Sequence, residues 1–145
     1  PFKHADALHL TPVLERFVTR HFNAMNDTGS LVIPLTSHRR RYLLRRYNQS
    51  AELARWLAAP GAFAPNMLQR RHHNKSQGGL SRLQRKKNVA GIFSVPPKYR
   101  DILSGRPVIL VDDVMASGAT LSAAARCLLA AGSGPVKGLV VARVL

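Results

Sequence analysis

The chain has 145 residues, with 22 Lys or Arg against 7 Asp or Glu and a formal net charge of +15 at neutral pH. That length suits one domain with a real core; a run of about 18 apolar residues and a secretory leader are both absent, so the expectation is a cytoplasmic protein that does not span a membrane. The single Cys127 excludes an internal disulfide and a cysteine-built zinc site.

The first residue is Pro1 rather than Met, which suits a fragment or processed form, and residues 1–10 carry no strong pattern. Thr11 then reads as an N-cap with Pro12 at the first helical position. Leu14, Phe17, Val18, His21, Phe22 and Met25 follow at helical spacing, which makes His21 a packed core histidine rather than a ligand. Asn26 to Ser30 is a turn. Leu31 to Leu35 is a short apolar run, read as a buried strand whose pairing should end near Pro34, since proline cannot donate to a ladder. Thr36, Ser37, His38 and Arg39 to Arg41 come immediately after. Hydroxyls and cations at the carboxyl end of a strand, where α/β sheets bind ligands, make an anion site; a basic surface turn is the plainer alternative.

A helix is expected from about Asn48 to Ala59, with Ala51, Ala54, Leu57 and Ala58 on one face, Leu53 and Trp56 beside it, and Pro60-Gly61 as its stop. From Phe63 to Lys87 the chain is polar and basic with no sustained period, and a stretch of that length without its own structure is usually functional or disordered. Between His38 and Lys87 there are thirteen Lys or Arg against one acid, Glu52. Such a segment attracts polyanions, whether pyrophosphate, nucleotides or a nucleic-acid backbone. Tyr42, Tyr47, Trp56 and Phe63 are its few aromatic residues, so a single-strand stacking platform is not evident. Val89 to Val95 reads as a strand ended by Pro96-Pro97. Lys98 to Leu103 reads as a short turn or helix leading into Ser104-Gly105.

The stretch Pro107 to Gly132 concentrates the chemistry. Val108, Ile109, Leu110 and Val111 read as a strand buried on both faces, as in the middle of a parallel sheet. Asp112 and Asp113 stand at its end, and the small residues Ala116, Ser117, Gly118, Ala119 and Thr120 follow. A helix then begins, with Leu121, Ala124, Ala125, Leu128 and Leu129 as its apolar face and Gly132 as its stop. A loop of small residues leading into a helix N-terminus offers backbone N–H groups and a positive dipole end to an anion. Ser117 and Thr120 add hydroxyl donors. Two ionised carboxylates suit a pair of sugar hydroxyls or a hydrated divalent cation. Side by side, loop and acids suit a ribose 5-phosphate. The competing reading as the second motif of a P-loop ATPase fails because no GxxxxGK[ST] occurs. Gly132-Ser133-Gly134 follows a helix rather than a strand, the wrong context for a dinucleotide loop. Val136 to Leu145 is a final apolar strand.

VILVDDVMASGAT, residues 108–120, resembles the thirteen-residue motif by which type I phosphoribosyltransferases (PRTases) hold phosphoribosyl pyrophosphate (PRPP). Two further stretches are similar to the ComF subfamily. One is Arg45-Arg46-Tyr47-Asn48-Gln49, with Arg46 where that family has glycine. The other is Arg70 to Gln77 with Leu80 to Val89, where Asn74 replaces the usual Thr. The resemblance implies a PRTase-type α/β fold over residues 1–145: a central parallel sheet of about four or five strands flanked by helices, a small hood drawn from residues 1–10 and 60–95, and a flexible loop. It implies Asp112 and Asp113 as catalytic groups on the ribose, and Met115, Ala116, Ser117, Gly118, Ala119 and Thr120 as the 5-phosphate cradle. It implies Leu35, Thr36, Ser37, His38 and Arg39 at the pyrophosphate, and Arg70, Arg71, Lys75 and Gln77 on the loop. Mg²⁺ is expected with PRPP, and no protein-built metal site. The expected activity is phosphoribosyl transfer to an unidentified nitrogen nucleophile. The alternative is a non-catalytic competence accessory that takes single-stranded DNA or competence proteins as partners. A homodimer is compatible with either.

Overall fold

The computed structural model describes residues 12–35, 40–70, 91–115 and 118–143. Three strands form a parallel sheet in the order β1 (Leu31–Pro34), β4 (Val108–Met115), β5 (Val136–Arg143). Helix α1 is Pro12–Met25 and α2 is Arg40–Leu57. A separate antiparallel ribbon is made by β2 (Gln69–Arg70) and β3 (Phe93–Ser94). A 3₁₀ turn at Pro97–Tyr99 and the one-turn helix α3 (Arg100–Leu103) precede β4, and α4 (Ala119–Ala130) joins β4 to β5.

Side-chain alternation along the strands sorts the core into two layers. Leu31, Ile33, Val108 and Leu110 meet Ala123, Ala124 and Leu128 of α4, Leu103 of α3 and Phe93 of the ribbon. Val32, Ile109, Val111 and Leu139 meet Val18 and Phe22 of α1 and Leu53 and Ala54 of α2. Helices therefore cover both faces of the sheet, as the sequence leads one to expect.

The sheet has three strands among the described residues rather than four or five. Its β1 edge is extended by a single parallel bridge, Val32 to Phe63, in which the Val32 N–H donates to Ala62 O (2.8 Å) and the Ala64 N–H to Val32 O (2.9 Å). This explains how Pro34 is tolerated while still in register with Val111. The N–H groups of Leu31 and Leu35 point at β4, donating to Pro107 O (2.9 Å) and Val111 O (2.8 Å). The N–H that Pro34 lacks would point the other way, past the end of that bridge.

Several expectations are corrected. Helix α2 starts at Arg40, eight residues before the expected start, so Arg45 to Gln49 lies within a helix. Arg is a strong helix former where Gly is a poor one, and Arg46 in place of glycine suits this continuation. Of the expected strand over Val89 to Val95, residues 89–90 lie outside the described residues, and among 91–95 only the two paired residues of β3 are strand, belonging to the ribbon rather than the main sheet. The start of the supposedly patternless segment is structured, with Met67 and Leu68 buried in the α4-side core. On α1, Phe17 and His21 are exposed, and only Val18 and Phe22 are fully buried. The apolar stripe there is wider than the sheet can cover.

Helix α4 ends as expected. Gly132 adopts φ +103°, the Ser133 N–H donates to Leu128 O (3.1 Å) and the Gly132 N–H to Leu129 O (3.0 Å), which is a Schellman cap. Its buried face, however, is rotated from the expected one toward Ala123 and the half-buried Cys127, leaving Leu129 51% exposed. The small side chains of Ala123 and Ala124 let this face sit close to the sheet. Leu128→Ala should accordingly destabilise the protein by about 2–5 kcal/mol, and Leu129→Ala by no more than about 0.5 kcal/mol, read from urea-denaturation midpoints.

Candidate functional site at the carboxyl edge of the sheet

Two helices begin at one edge of the sheet. Helix α2 starts five residues after Leu35, at the carboxyl end of β1, and α4 starts four residues after Met115, at the carboxyl end of β4. Helix α4 then returns to the opposite edge, where the Gly105 N–H donates to Gly132 O (2.8 Å). Because α2 and α4 pack on different faces of the sheet, their positive dipole ends converge on the carboxyl edge from both sides.

Strand β4 runs further than the sequence suggests. Its pairing with β1 stops at Val111, but pairing with β5 continues through Asp112 with Val140, Val114 with Ala142 and Met115 with Arg143. Asp112 and Asp113 therefore stand inside a paired strand, just beyond the end of β1, and not in the loop that follows. Asp112 is half-buried and by alternation shares the α4 face with Leu110. A carboxylate held on a strand is fixed more tightly than one on a loop, and here Val111 before Asp112 and Val114 after it are both paired with β5.

Gly118 is the N-cap of α4 and has φ +80°, ψ −4°, the left-handed region in which a side chain is disfavoured. Its carbonyl accepts the first helical hydrogen bond, from the Ser122 N–H (2.9 Å), and Gly118 itself has no side chain with which to cap the helix. The first-turn N–H groups of any helix lack acceptors within that helix. Here they are presented at the same edge as Asp112. The Leu121 side chain, in the first turn of α4, packs directly over Gly138 of β5, where an added Cβ would lie 2.9 Å from Leu121 Cδ2. Sequence reasoning missed Gly138. Its signal was a glycine inside an otherwise apolar strand, which often marks a close backbone approach.

The other expected site residues divide. Leu35 is 2% exposed and serves the core. Arg70 lies on β2 with its guanidinium 5.0 Å from the centre of the Phe93 ring, the residue it also pairs with across the ribbon. Burial lowers the Arg70 pKa from its ordinary value. The ribbon faces the C-terminal half of α4, sharing a cavity of about 610 Å³ with Cys127, Ala130 and Ala131. Thr36, Ser37, His38 and Arg39, Arg71, Lys75 and Gln77, and Ala116 and Ser117 lie outside the described residues. Among the described residues no cluster of three or more His, Cys, Asp or Glu forms a metal site, and no helix is long and apolar enough to cross a membrane.

No protein-family model and no curated protein sequence matches the chain. Solved structures do. One is a hypoxanthine phosphoribosyl transferase of Trypanosoma cruzi, with a TM-score of 0.51 at 12% identity over 99% of this chain and 82% of that one. Another is the allosteric regulatory enzyme of purine biosynthesis, with a TM-score of 0.51 at 16% identity over 88% of this chain. The present chain spans 25% of that enzyme's length. The likeness establishes the fold: an α/β domain of the phosphoribosyltransferase type.

Gly118→Ala should cost about 1–2 kcal/mol through its left-handed backbone, whereas Ala119→Gly, one residue into the helix, should cost no more than about 1 kcal/mol. Thermal unfolding of the two variants checks the order.

Proposed function

We propose that the protein binds PRPP at the carboxyl edge of β4 and transfers its phosphoribosyl group to a nitrogen nucleophile, with release of pyrophosphate. One observation carries the reading. A parallel strand holding Asp112 and Asp113 leads through a left-handed Gly118 into the N-terminus of helix α4. Acceptors for sugar hydroxyls and donors for a phosphate thus lie on either side of one short loop. The fold supports it, being shared with a hypoxanthine phosphoribosyl transferase.

On this reading the backbone of Met115 to Thr120 receives the 5-phosphate, with the Ser117 and Thr120 hydroxyls adding donors. Asp112 and Asp113 orient the ribose hydroxyls. Thr36 to Arg39 receive the pyrophosphate, and Arg71, Lys75 and Gln77 belong to the segment that covers the centre and excludes water, while Leu35 serves the core and Arg70 the ribbon. The bond from ribose C1 to pyrophosphate oxygen breaks, its electron pair leaving with the pyrophosphate. A bond from C1 to nitrogen forms, and the nitrogen's proton passes to solvent. Positive charge developing on the sugar ring is stabilised by the nearby carboxylates, so the protein's contribution is positioning and electrostatics.

The donor set fits Mg²⁺ arriving with PRPP. This cation is usually held by one or two carboxylates together with substrate phosphate oxygens and water, and a strand-held Asp112 at the edge satisfies that pattern without a closed protein cage. When bound, the ion neutralises the pyrophosphate.

A second reading rests on charge. Thirteen cations against one acid between His38 and Lys87 also suit a polyanion-binding accessory of the ComF type, with single-stranded DNA or competence proteins as partners. The two readings separate experimentally. With Mg-PRPP and a panel of nucleobases and amines, the protein should release pyrophosphate. Asp112→Asn with Asp113→Asn should lower both PRPP affinity and turnover by at least about 100-fold while leaving the fold and any DNA affinity unchanged. Steeply salt-dependent DNA binding with no heat on titration of Mg-PRPP would contradict the enzyme.

A further inference from the structure

Helix α1 buries Val18 and Phe22, yet its opposite side is not the wholly polar face of an ordinary surface helix. Val13 is 61% and Phe17 54% exposed, the two most exposed large apolar side chains among the described residues. With 3.6 residues per turn, Arg16, Arg20, Val13 and Phe17 fall in that order within an arc of about 100°. Arg16 and Arg20 also form one wall of a groove of about 550 Å³ whose far side is Trp56 of α2. Arginines, an aromatic-floored groove and exposed aliphatic and aromatic side chains therefore adjoin on a surface formed by α1 and α2, neither of which contains the acids or the phosphate loop of the proposed site.

We propose that this surface docks an acidic amphipathic helix from a partner protein. Trp and Arg are the residue types that dominate the energetics of protein interfaces, and a helix laid in a groove is a recurring mode of recognition. The partner's apolar stripe would cover Val13 and Phe17, while its carboxylates meet Arg16 and Arg20. A second copy of this chain is a poor occupant, because it carries the same +15 charge. A nucleic-acid strand is a poorer fit than an amphipathic peptide here, because the exposed Val13 and Phe17 offer phosphates nothing.

Trp56 is the sole tryptophan, so its emission reads the groove directly. The probe is a synthetic helix of Leu and Glu heptads, about 21 residues long so that it folds and free of Trp. Titration into the full chain should give a saturable change in Trp56 emission, with no response to the matching Leu and Lys peptide. Val13→Ser with Phe17→Ser, both at solvent-exposed positions, should weaken the response by about tenfold or more. Arg16→Glu with Arg20→Glu should do the same and lower the preference for the acidic peptide. The proposal is overturned by equal responses to both peptides or by none. It is also overturned by an oligo-dT response in place of a peptide response, by self-association that the serine pair abolishes, or by binding that appears only after residues 1–10 are deleted. That last result would assign the surface to the chain's own N-terminal segment.

Discussion

Val108 to Val111 are each no more than 1% exposed because β4 has a strand on either side and a helical layer on either face. Burying four such residues stabilises the fold by roughly 1.5–3 kcal/mol per side chain relative to exposure, and a one-residue slip in register would exchange the side chains meant for α4 with those meant for α1 and α2. Everything at the carboxyl edge is positioned from this strand. The extra length of β4 beyond β1 puts Asp112 and Asp113 at the edge where α4 begins.

The opposite edge fixes the strands' starting points. The Gly105 N–H donates to Gly132 O (2.8 Å) and the Gly134 N–H to Arg106 O (2.8 Å), tying the loop before β4 to the loop before β5. The Arg106 Nε–H donates to Gly29 O (2.9 Å), bringing in the turn before β1. Lys137 Nζ donates to Met25 O (3.2 Å) and lies 3.6 Å from Asp27, placing a cation at the negative end of α1. Structural anchoring thus gathers at one edge and polar groups suited to a ligand at the other. That division is the usual one for open α/β sheets, whose ligands bind outside the carboxyl ends of the strands.

The central strand, the acids and the helix after them were legible in the sequence because each has a local signature: four consecutive apolar residues, two carboxylates, small residues, a helical period and a capping glycine. What was not legible was set by neighbours. Nothing in Asp112 to Met115 says that pairing with β5 persists there after pairing with β1 has stopped. The start of α2 was hidden because Arg40, Arg41, Arg45 and Arg46 favour a helix as readily as they suit a basic loop. Phe17 and Leu129 were assigned to buried faces on periodicity alone. The true centre of each face depends on what packs against it, which on α4 includes a two-stranded ribbon whose pairing joins residues 23 and 25 positions apart, Arg70 with Phe93 and Gln69 with Ser94. The candidate site was legible in its residue types. Its depth in a paired strand and the packing of Leu121 over Gly138 were not.

The central claim is that the carboxyl edge between β4 and α4 takes a phosphorylated ribose. Amide proton–nitrogen NMR during titration with ribose 5-phosphate and Mg²⁺ tests it directly, since this ligand carries no leaving group and reports binding apart from turnover. The account predicts that the Gly118, Thr120 and Asp112 amides shift together and saturate, while those of Val13, Phe17 and Phe93 stay in place. Saturable binding that moves other amides and leaves Gly118 and Thr120 unshifted, or no binding at all, would contradict it.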